Sequence, residues 1–356
     1  MPVTCGVPMA AADGWRVATP EDVGLDAAVL CDIAERVDSF RANFHGLLVS
    51  RHGALVYEQY FSGDDQPLGQ PIVRIDFNRD TRHDIRSVTK GITSLLVGIA
   101  IDRKLIAGVD EPVFSFFPEY AELRTPGKNL ILLSHLLTMS AGLAWDEYRP
   151  YTDPMNSQIR MIYSRDPYRI AIEPPVVAPP GRFWDYNSGA TELLGAVIAK
   201  TARRALDEFA RETLFEPLGI ADPEWGRLAN DAPAAAAGLR LRPRDAAKLG
   251  QLVLNRGQWG GKQIVPAEWI DDSITPHIAP ADRMYLFGYH WWLGRTMVNG
   301  REVMWVAGIG LGGQRIFIVP ALDTVVVITA GLYTDSRQAW LPEYFLNRYV
   351  LAAVKM

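Results

Sequence analysis

Ser87-Val88-Thr89-Lys90 sets a hydroxyl and an amine three positions apart, which on a helix is one turn along the same face. A lysine so placed can take the serine proton, provided burial or nearby positive charge lowers its affinity for that proton from the usual pKa of ~10.4. The spacing alone is weak: with 13 serines and seven lysines in the chain, chance supplies on the order of 0.3 such pairs. A capping serine beside a solvated lysine is the structural alternative. Two companions raise the weight of the catalytic reading. Pro180-Gly181-Arg182-Phe183-Trp184-Asp185-Tyr186-Asn187-Ser188-Gly189 is a turn running through a tyrosine into a helix, and a phenol beside Ser87 and Lys90 can relay a proton to a leaving group. Trp305-Val306-Ala307-Gly308-Ile309-Gly310-Leu311-Gly312-Gly313-Gln314 is a glycine-rich turn between two strands. There a backbone amide at Gly308 or Ile309 can complete an oxyanion hole, with glycines letting substrate approach the backbone.

Other chemistries find little support. Gly308 to Gly313 formally matches GxGxxG, but the residues after it read as a strand, and no acid follows between 325 and 332. None of the serines has a glycine two positions before it, so the Gly-x-Ser-x-Gly elbow is absent. The histidines at 45, 52, 83, 135, 277 and 290 show no HxH or HExxH spacing, and each reads as structural or surface. No metal and no cofactor is expected. Cys5 and Cys31 lack CxxC spacing and cannot build a disulfide framework. Cys5 falls in a flexible leader and Cys31 in a helical pattern, so both read as inert.

Composition narrows the partners. Hydrophobic residues make up 48% and charged residues 22%, the balance of a globular chain with a real core. The net charge is -5, and the basic residues are scattered, which argues against nucleic acid or an anionic membrane as partner. No apolar stretch approaches the ~18 residues of a membrane span. Residues 1–15 lack the basic and apolar regions of a secretory signal, so a cytoplasmic location is expected. Oligomeric state is not legible.

The elements that must position these residues follow from periodicity. Leu25, Val29, Ile33 and Val37 recur at helical spacing over residues 25–40. Residues 46–50 and 54–61 flank Arg51-His52-Gly53 as a hairpin. Ser87 opens an apolar helix reaching residue 101, and further helices are predicted over 131–139, 190–201, 205–214 and 245–254. Strands are predicted over 287–293, 302–306, 314–319 and 324–329, then a helix over 344–354. Length alone suggests two domains at ~150 residues each. The order of elements suggests interleaving instead: an α+β fold whose central antiparallel sheet is flanked by helices and built from residues 15–86 and 285–356, with a mostly helical lobe, 87–284, inserted.

Ser87-x-x-Lys90, Tyr186-x-Ser188 and the late glycine-rich strand, in this order, resemble the serine β-lactamase and penicillin-binding-protein superfamily. Within it the chain is similar to class C β-lactamase-related hydrolases, which include esterases, D-amino-acid peptidases and 6-aminohexanoate-dimer hydrolase. Residues 134–143, 217–220 and 257–266 resemble the family's text between motifs, and the likeness spans about residues 20–354. It implies a β-lactamase/transpeptidase-like fold and an acyl-enzyme serine hydrolase acting on a small ester or amide. Ser87 would be the nucleophile, Lys90 its base and Tyr186 the proton relay. Asn187 and Ser188 would hold Lys90 and Tyr186 by hydrogen bonds, and Trp305, Gly308 and Ile309 would supply the substrate strand. Carboxylester hydrolysis is the leading expectation. Amide or peptide cleavage, or an acyl-accepting protein with little turnover, are the alternatives. Where β-lactamases carry Lys-Thr-Gly, this chain has Trp305-Val306-Ala307 before Gly308. The cation and hydroxyl that engage a β-lactam carboxylate are thus missing, and efficient β-lactamase activity is not expected.

Overall fold

Val325, Val326, Val327 and Ile328 are all buried, so the strand they form is covered on both faces, as a continuous apolar run requires. The computed structural model describes residues 5–67, 70–281 and 284–355. Strand β1 (Arg16–Val17) precedes helices α1 (Ala27–Cys31) and α2 (Ile33–Ser39). Strands β2 (Phe44–Arg51), β3 (Ala54–Tyr60), β4 (Ser62–Asp65), β5 (Val73–Asp76) and β6 (His83–Asp84) follow. Next come helices α3 (Thr89–Asp102), α4 (Leu133–Leu137), α5 (Ser157–Ile162), α6 (Pro167–Ile172), α7 (Ser188–Ala202) and α8 (Leu206–Ala210). Short strands β7 (Glu224–Trp225) and β8 (Leu239–Leu241) lead to α9 (Pro243–Leu254), and β9 (Gln258–Trp259) and β10 (Lys262–Gln263) to α10 (Ala267–Ser273). The last elements are β11 (Leu286–Phe287), β12 (Trp292–Val298), β13 (Arg301–Gly310), β14 (Gln314–Val319), β15 (Thr324–Ala330) and α11 (Leu341–Phe345).

Eight strands form the main sheet in the order β1-β3-β2-β15-β14-β13-β12-β11. Only β1 runs parallel to its neighbour. This is the expected α+β architecture. Alternation along each strand divides its side chains between two cores. Leu48, Ile316, Ile318, Val325 and Val327 face α3, α9 and the helical middle of the chain. Leu47, Val49, Phe317, Val326 and Ile328 face α1, α2 and α11.

The predicted hairpin is present, its turn made by His52 (φ 50°) and Gly53 (φ 69°). Four expectations need correction. The helix over 25–40 is two helices meeting at Asp32. The strand over 287–293 is broken, because the chain turns at His290 (φ 64°), whose N–H donates to Leu137 O and Gly288 O. The C-terminal helix starts earlier, at Leu341, and continues as a widened turn over Leu346–Val350 and a tight one over Leu351–Ala353. Finally, Cys5 and Cys31 are not free thiols but a disulfide, Cα–Cα 5.1 Å, fastening residue 5 to the end of α1. The leader lies against the body because buried Arg244 of α9 holds it, donating to Met9 O (2.7 Å) and Asp13 Oδ2 (2.8 Å) while also pairing with Glu58. Docking of the leader is what brings the two sulfurs together.

Helix α9 lies close on β14 and β15 at Gly250, where a Cβ would come within 2.6 Å of Val325 Cγ1 and 2.8 Å of Ile316 Cγ2. Both obstacles are buried in the sheet, so neither can swing aside. Gly250→Leu is expected to destabilise the protein by about 3 kcal/mol or more, read as a lowered urea midpoint. An unchanged midpoint would show that α9 can lift off the sheet at little cost.

Candidate active site

Ser87 stands on a tight turn, Arg86–Val88, that feeds α3. Its predecessor Arg86 has φ 50°, a left-handed conformation unfavourable for a side chain of this size and held only by the surrounding structure. The restraints are specific. Arg86 Nη2 donates to Gln66 O (2.5 Å), its guanidinium lies 4.7 Å over the Tyr333 ring, and its carbonyl accepts from Thr89 Oγ1 (2.6 Å). The adjacent Ile85 N donates to Leu239 O (3.1 Å).

One turn on, Lys90 is 2% exposed, with Nζ 3.1 Å from Ser87 Oγ and 3.0 Å from Ala236 O. The same nitrogen lies 4.9 Å from the centre of the Tyr186 ring. Folding therefore gathers Ser87, Lys90 and Tyr186 around one point. Ala236 is fixed in turn: Glu192 on α7 accepts from the N–H groups of Ala235 and Ala236, both at 2.9 Å, and Thr93 Oγ1 donates to Ala235 O (2.8 Å). Burial pushes the Glu192 carboxyl up to about 7, against the opposing pull of those amides and of Lys90. His290 is also close to Lys90. It is pushed down to about 3, first by burial and then by the lysine charge, with Nε2 3.1 Å from Thr191 Oγ1.

Asn187 and Ser188 do not hydrogen-bond Lys90 or Tyr186. Asn187 caps α7, its Oδ1 accepting from Ala190 N (3.0 Å). Ser188 donates through N (2.8 Å) and Oγ (2.6 Å) to Glu147, which also accepts from Trp145 Nε1 (2.8 Å) and Tyr151 OH (3.1 Å). These two residues instead fix the backbone on either side of the α7 start, and thereby where Tyr186 stands.

On the other flank, pairing between β12 and β13 ends at Trp292 and Ala307, whereas β13 and β14 stay paired as far as Gly310 and Gln314. Gly308, Ile309 and Gly310 are thus free of β12 and lie against the Ser87 turn. A Cβ on Gly308 would come within 2.9 Å of Val88 Cγ1, and one on Gly310 within 2.5 Å of Ile85 O. Trp305 is placed differently from expectation: it is 1% exposed in the core beneath α11, with Phe317 5.5 Å and Tyr285 5.4 Å away. The half-buried ring beside Tyr186 is Trp184, followed by Trp292 and Phe287 at 5.4 and 5.7 Å.

Glu147, Glu192 and Ala236 are supports that sequence reading missed. Nothing in their spacing marks them. The one visible hint is the Ala234 to Ala237 run, whose small residues let Lys90 and Thr93 reach its carbonyls.

Residues 33–342 match the family model described as Beta-lactamase, and the chain belongs to that family. It is a hydrolase of the serine type. Across 90% of its length it is 24% identical to a 6-aminohexanoate-dimer hydrolase of Paenarthrobacter ureafaciens, covering 81% of that protein. Over 49% of its length it is 26% identical to lovastatin esterase of Penicillium rubens, covering 46% of that protein. Among solved structures it resembles a putative 6-aminohexanoate-dimer hydrolase from Bacillus anthracis, with TM-score 0.73, 22% identity, and 89% of this chain and 80% of that one covered. It also resembles a family VIII carboxylesterase, with TM-score 0.66, 17% identity, and 88% and 95% covered.

The raised Glu192 carboxyl sets a pH dependence. Because folding favours its protonated form, the contribution of Glu192 to stability is greatest below the unfolded value of 4.5 and declines as pH rises to about 7. Glu192→Gln should remove roughly 3 kcal/mol of that decline, so the variant's melting temperature should vary less than the wild type's between pH 4.5 and 7. Identical slopes would place the titration elsewhere.

Proposed function

We propose that this chain hydrolyses small neutral carboxylic esters through an acyl-enzyme on Ser87. The observation that carries the reading is the 3.1 Å contact between Lys90 Nζ and Ser87 Oγ beside the Tyr186 ring. In acylation, Lys90 takes the Ser87 proton as Oγ bonds to the substrate carbonyl carbon. The resulting oxyanion lies between the Ser87 amide and an amide at Gly308 or Ile309, each such donor contributing on the order of ~3 kcal/mol. Tyr186 gives its phenolic proton to the departing alkoxide as the carbon–oxygen bond breaks, and takes in its place the proton that Lys90 received from Ser87. Water then attacks the acyl group, returning Ser87 and releasing the acid.

Two features favour esters of uncharged acids and alcohols. No Lys-Thr-Gly precedes Gly308, and the Trp184 ring beside Tyr186 packs against the rings of Trp292 and Phe287. Amide hydrolysis is the second reading, favoured by the resemblance to 6-aminohexanoate-dimer hydrolase over 90% of the chain. An amine leaves only when protonated, so amides depend more than esters on the relay.

Among the described residues no helix is long and apolar enough to cross a membrane. We propose a cytoplasmic location. The Cys5–Cys31 bond pulls the other way, since disulfides persist in oxidising compartments. Alkylation of thiols at lysis decides: two modified cysteines agree with the cytoplasm, none with export.

Ser87→Ala should abolish both fluorophosphonate labelling and hydrolysis of a short-chain chromogenic ester. Lys90→Ala should lower acylation at pH 7 by roughly 10²-fold or more and recover partly at high pH. Tyr186→Phe should slow an amide more than an ester of the same acid. Labelling of the Ser87→Ala protein at the wild-type rate would overturn the nucleophile. A single burst without steady turnover would make the chain an acyl-accepting receptor.

A further inference from the structure

Outside the Ser87 site, folding buries together three side chains of types that can ligate a metal. His45 on β2, Asp65 at the end of β4 and His83 on β6 are 0%, 2% and 0% exposed. One ligand atom from each lies within 4.8 Å of the other two. His45 Nδ1 is 2.8 Å from His83 Nε2, and His83 Nε2 is 3.7 Å from Asp65 Oδ1.

The hydrogen bonds around the cluster dictate where its lone pairs point. His83 Nδ1 lies 3.0 Å from Asp84 O; a carbonyl can only accept, so that nitrogen carries the proton and Nε2 offers its lone pair inward. The ring of His45 is stacked on Phe77, with centroids 4.1 Å apart and planes 11° apart, and no side chain hydrogen-bonds its buried Nε2. Asp65 accepts from Tyr333 OH (2.7 Å), and among the described residues no lysine or arginine is within ion-pair distance of it. A buried carboxylate without a basic partner is costly. Two imidazole lone pairs beside it form the donor set of a first-row divalent ion.

We propose that His45 Nδ1, His83 Nε2 and the Asp65 carboxylate bind a divalent transition metal, zinc in the first instance. Zinc with bonds of 2.0–2.1 Å in a tetrahedral site sets its ligand atoms roughly 3.3 Å apart. The 2.8 Å separation must open, and the 3.7 Å one close, by about half an ångström each. The surroundings fit the pattern of outer partners that orient ligands: the Asp84 carbonyl holds His83, and Tyr333, itself under Arg86, holds Asp65. The three residues are buried on separate strands away from Ser87, so the role of the ion is structural, with a water as the fourth ligand. It ties β2, β4 and β6 together four residues ahead of Ser87. The competing arrangement is a hydrogen bond from His45 Nδ1–H to His83 Nε2, which explains the 2.8 Å contact but leaves the lone pair of His45 Nε2 buried with no side-chain donor.

The full chain, produced without a polyhistidine tag in zinc-supplemented medium, should retain about one equivalent of zinc by mass spectrometry of the metal after dialysis. Protein stripped with a chelator should gain roughly 4 °C in melting temperature when zinc chloride is returned at 100-fold excess over its dissociation constant. With cobalt chloride it should show the visible absorption of tetrahedral Co(II). His83→Gln and Asp65→Asn should each lose the stoichiometric metal, whereas exposed His52→Gln keeps it. Wild-type protein holding less than a tenth of an equivalent, with melting unmoved by zinc or cobalt, would overturn the proposal in favour of the hydrogen-bonded pair. Undiminished metal in both ligand variants would overturn it as well, by placing the ion elsewhere.

Discussion

A lysine amine taken almost wholly out of water must have its hydrogen bonds answered by fixed groups, and the architecture around Lys90 follows from that requirement. A buried polar group left without partners costs about 1–3 kcal/mol. Here the solvent is replaced by Ser87 Oγ, the Ala236 carbonyl and the face of Tyr186. Each replacement has its own support: Glu192 and Thr93 hold Ala235 and Ala236, while Glu147 and the Asn187 cap fix the chain beside Tyr186. Two of these supports, Glu192 and Asn187, come from α7 or are the residue that caps it, which explains how one helix far from Ser87 in sequence governs the surroundings of Lys90.

The second constraint is closeness. An amide of β13 can contribute to an oxyanion site only if the strand lies against the Ser87 turn, and side chains at 308 or 310 would prevent that. The same contact is assisted by the end of β12 pairing at Trp292, where the left-handed His290 turns the chain away and leaves the last residues of β13 uncovered. Sheet register and the geometry of the Ser87 turn are therefore not independent: a slip of β13 would put a side chain where Gly308 now packs on Val88.

What the sequence showed, it showed through neighbours in the chain. Ser87 and Lys90 are one helical turn apart, Tyr186 precedes a helix cap, and the strands around 308 and 314–330 announce themselves by apolar runs. Glu147 and Glu192 were invisible because an acid that accepts backbone amides across 40 residues has no local signature. His45, Asp65 and His83 escaped for a related reason: their chain separations match no metal-ligand pattern, and only strand placement unites them. The role expected of Trp305 failed because alternation along β13 turns its indole to the opposite core from Val306. The pairing of Cys5 with Cys31 depended on a docked leader, which rests on Arg244 from the far end of the chain.

The partnership of β2 with β15, Val49 opposite Val326, has a consequence for how the molecule comes into being. Two strands at the centre of the sheet are separated by nearly the whole chain, so closing them costs loop entropy before either core can form. During synthesis the early hairpin must wait for its neighbour with both apolar faces uncovered, an interval in which a chain of this topology is most exposed to aggregation. The order of assembly is written into the order of strands: the Ser87 turn at the head of α3 meets β13 only when the last strands leave the ribosome.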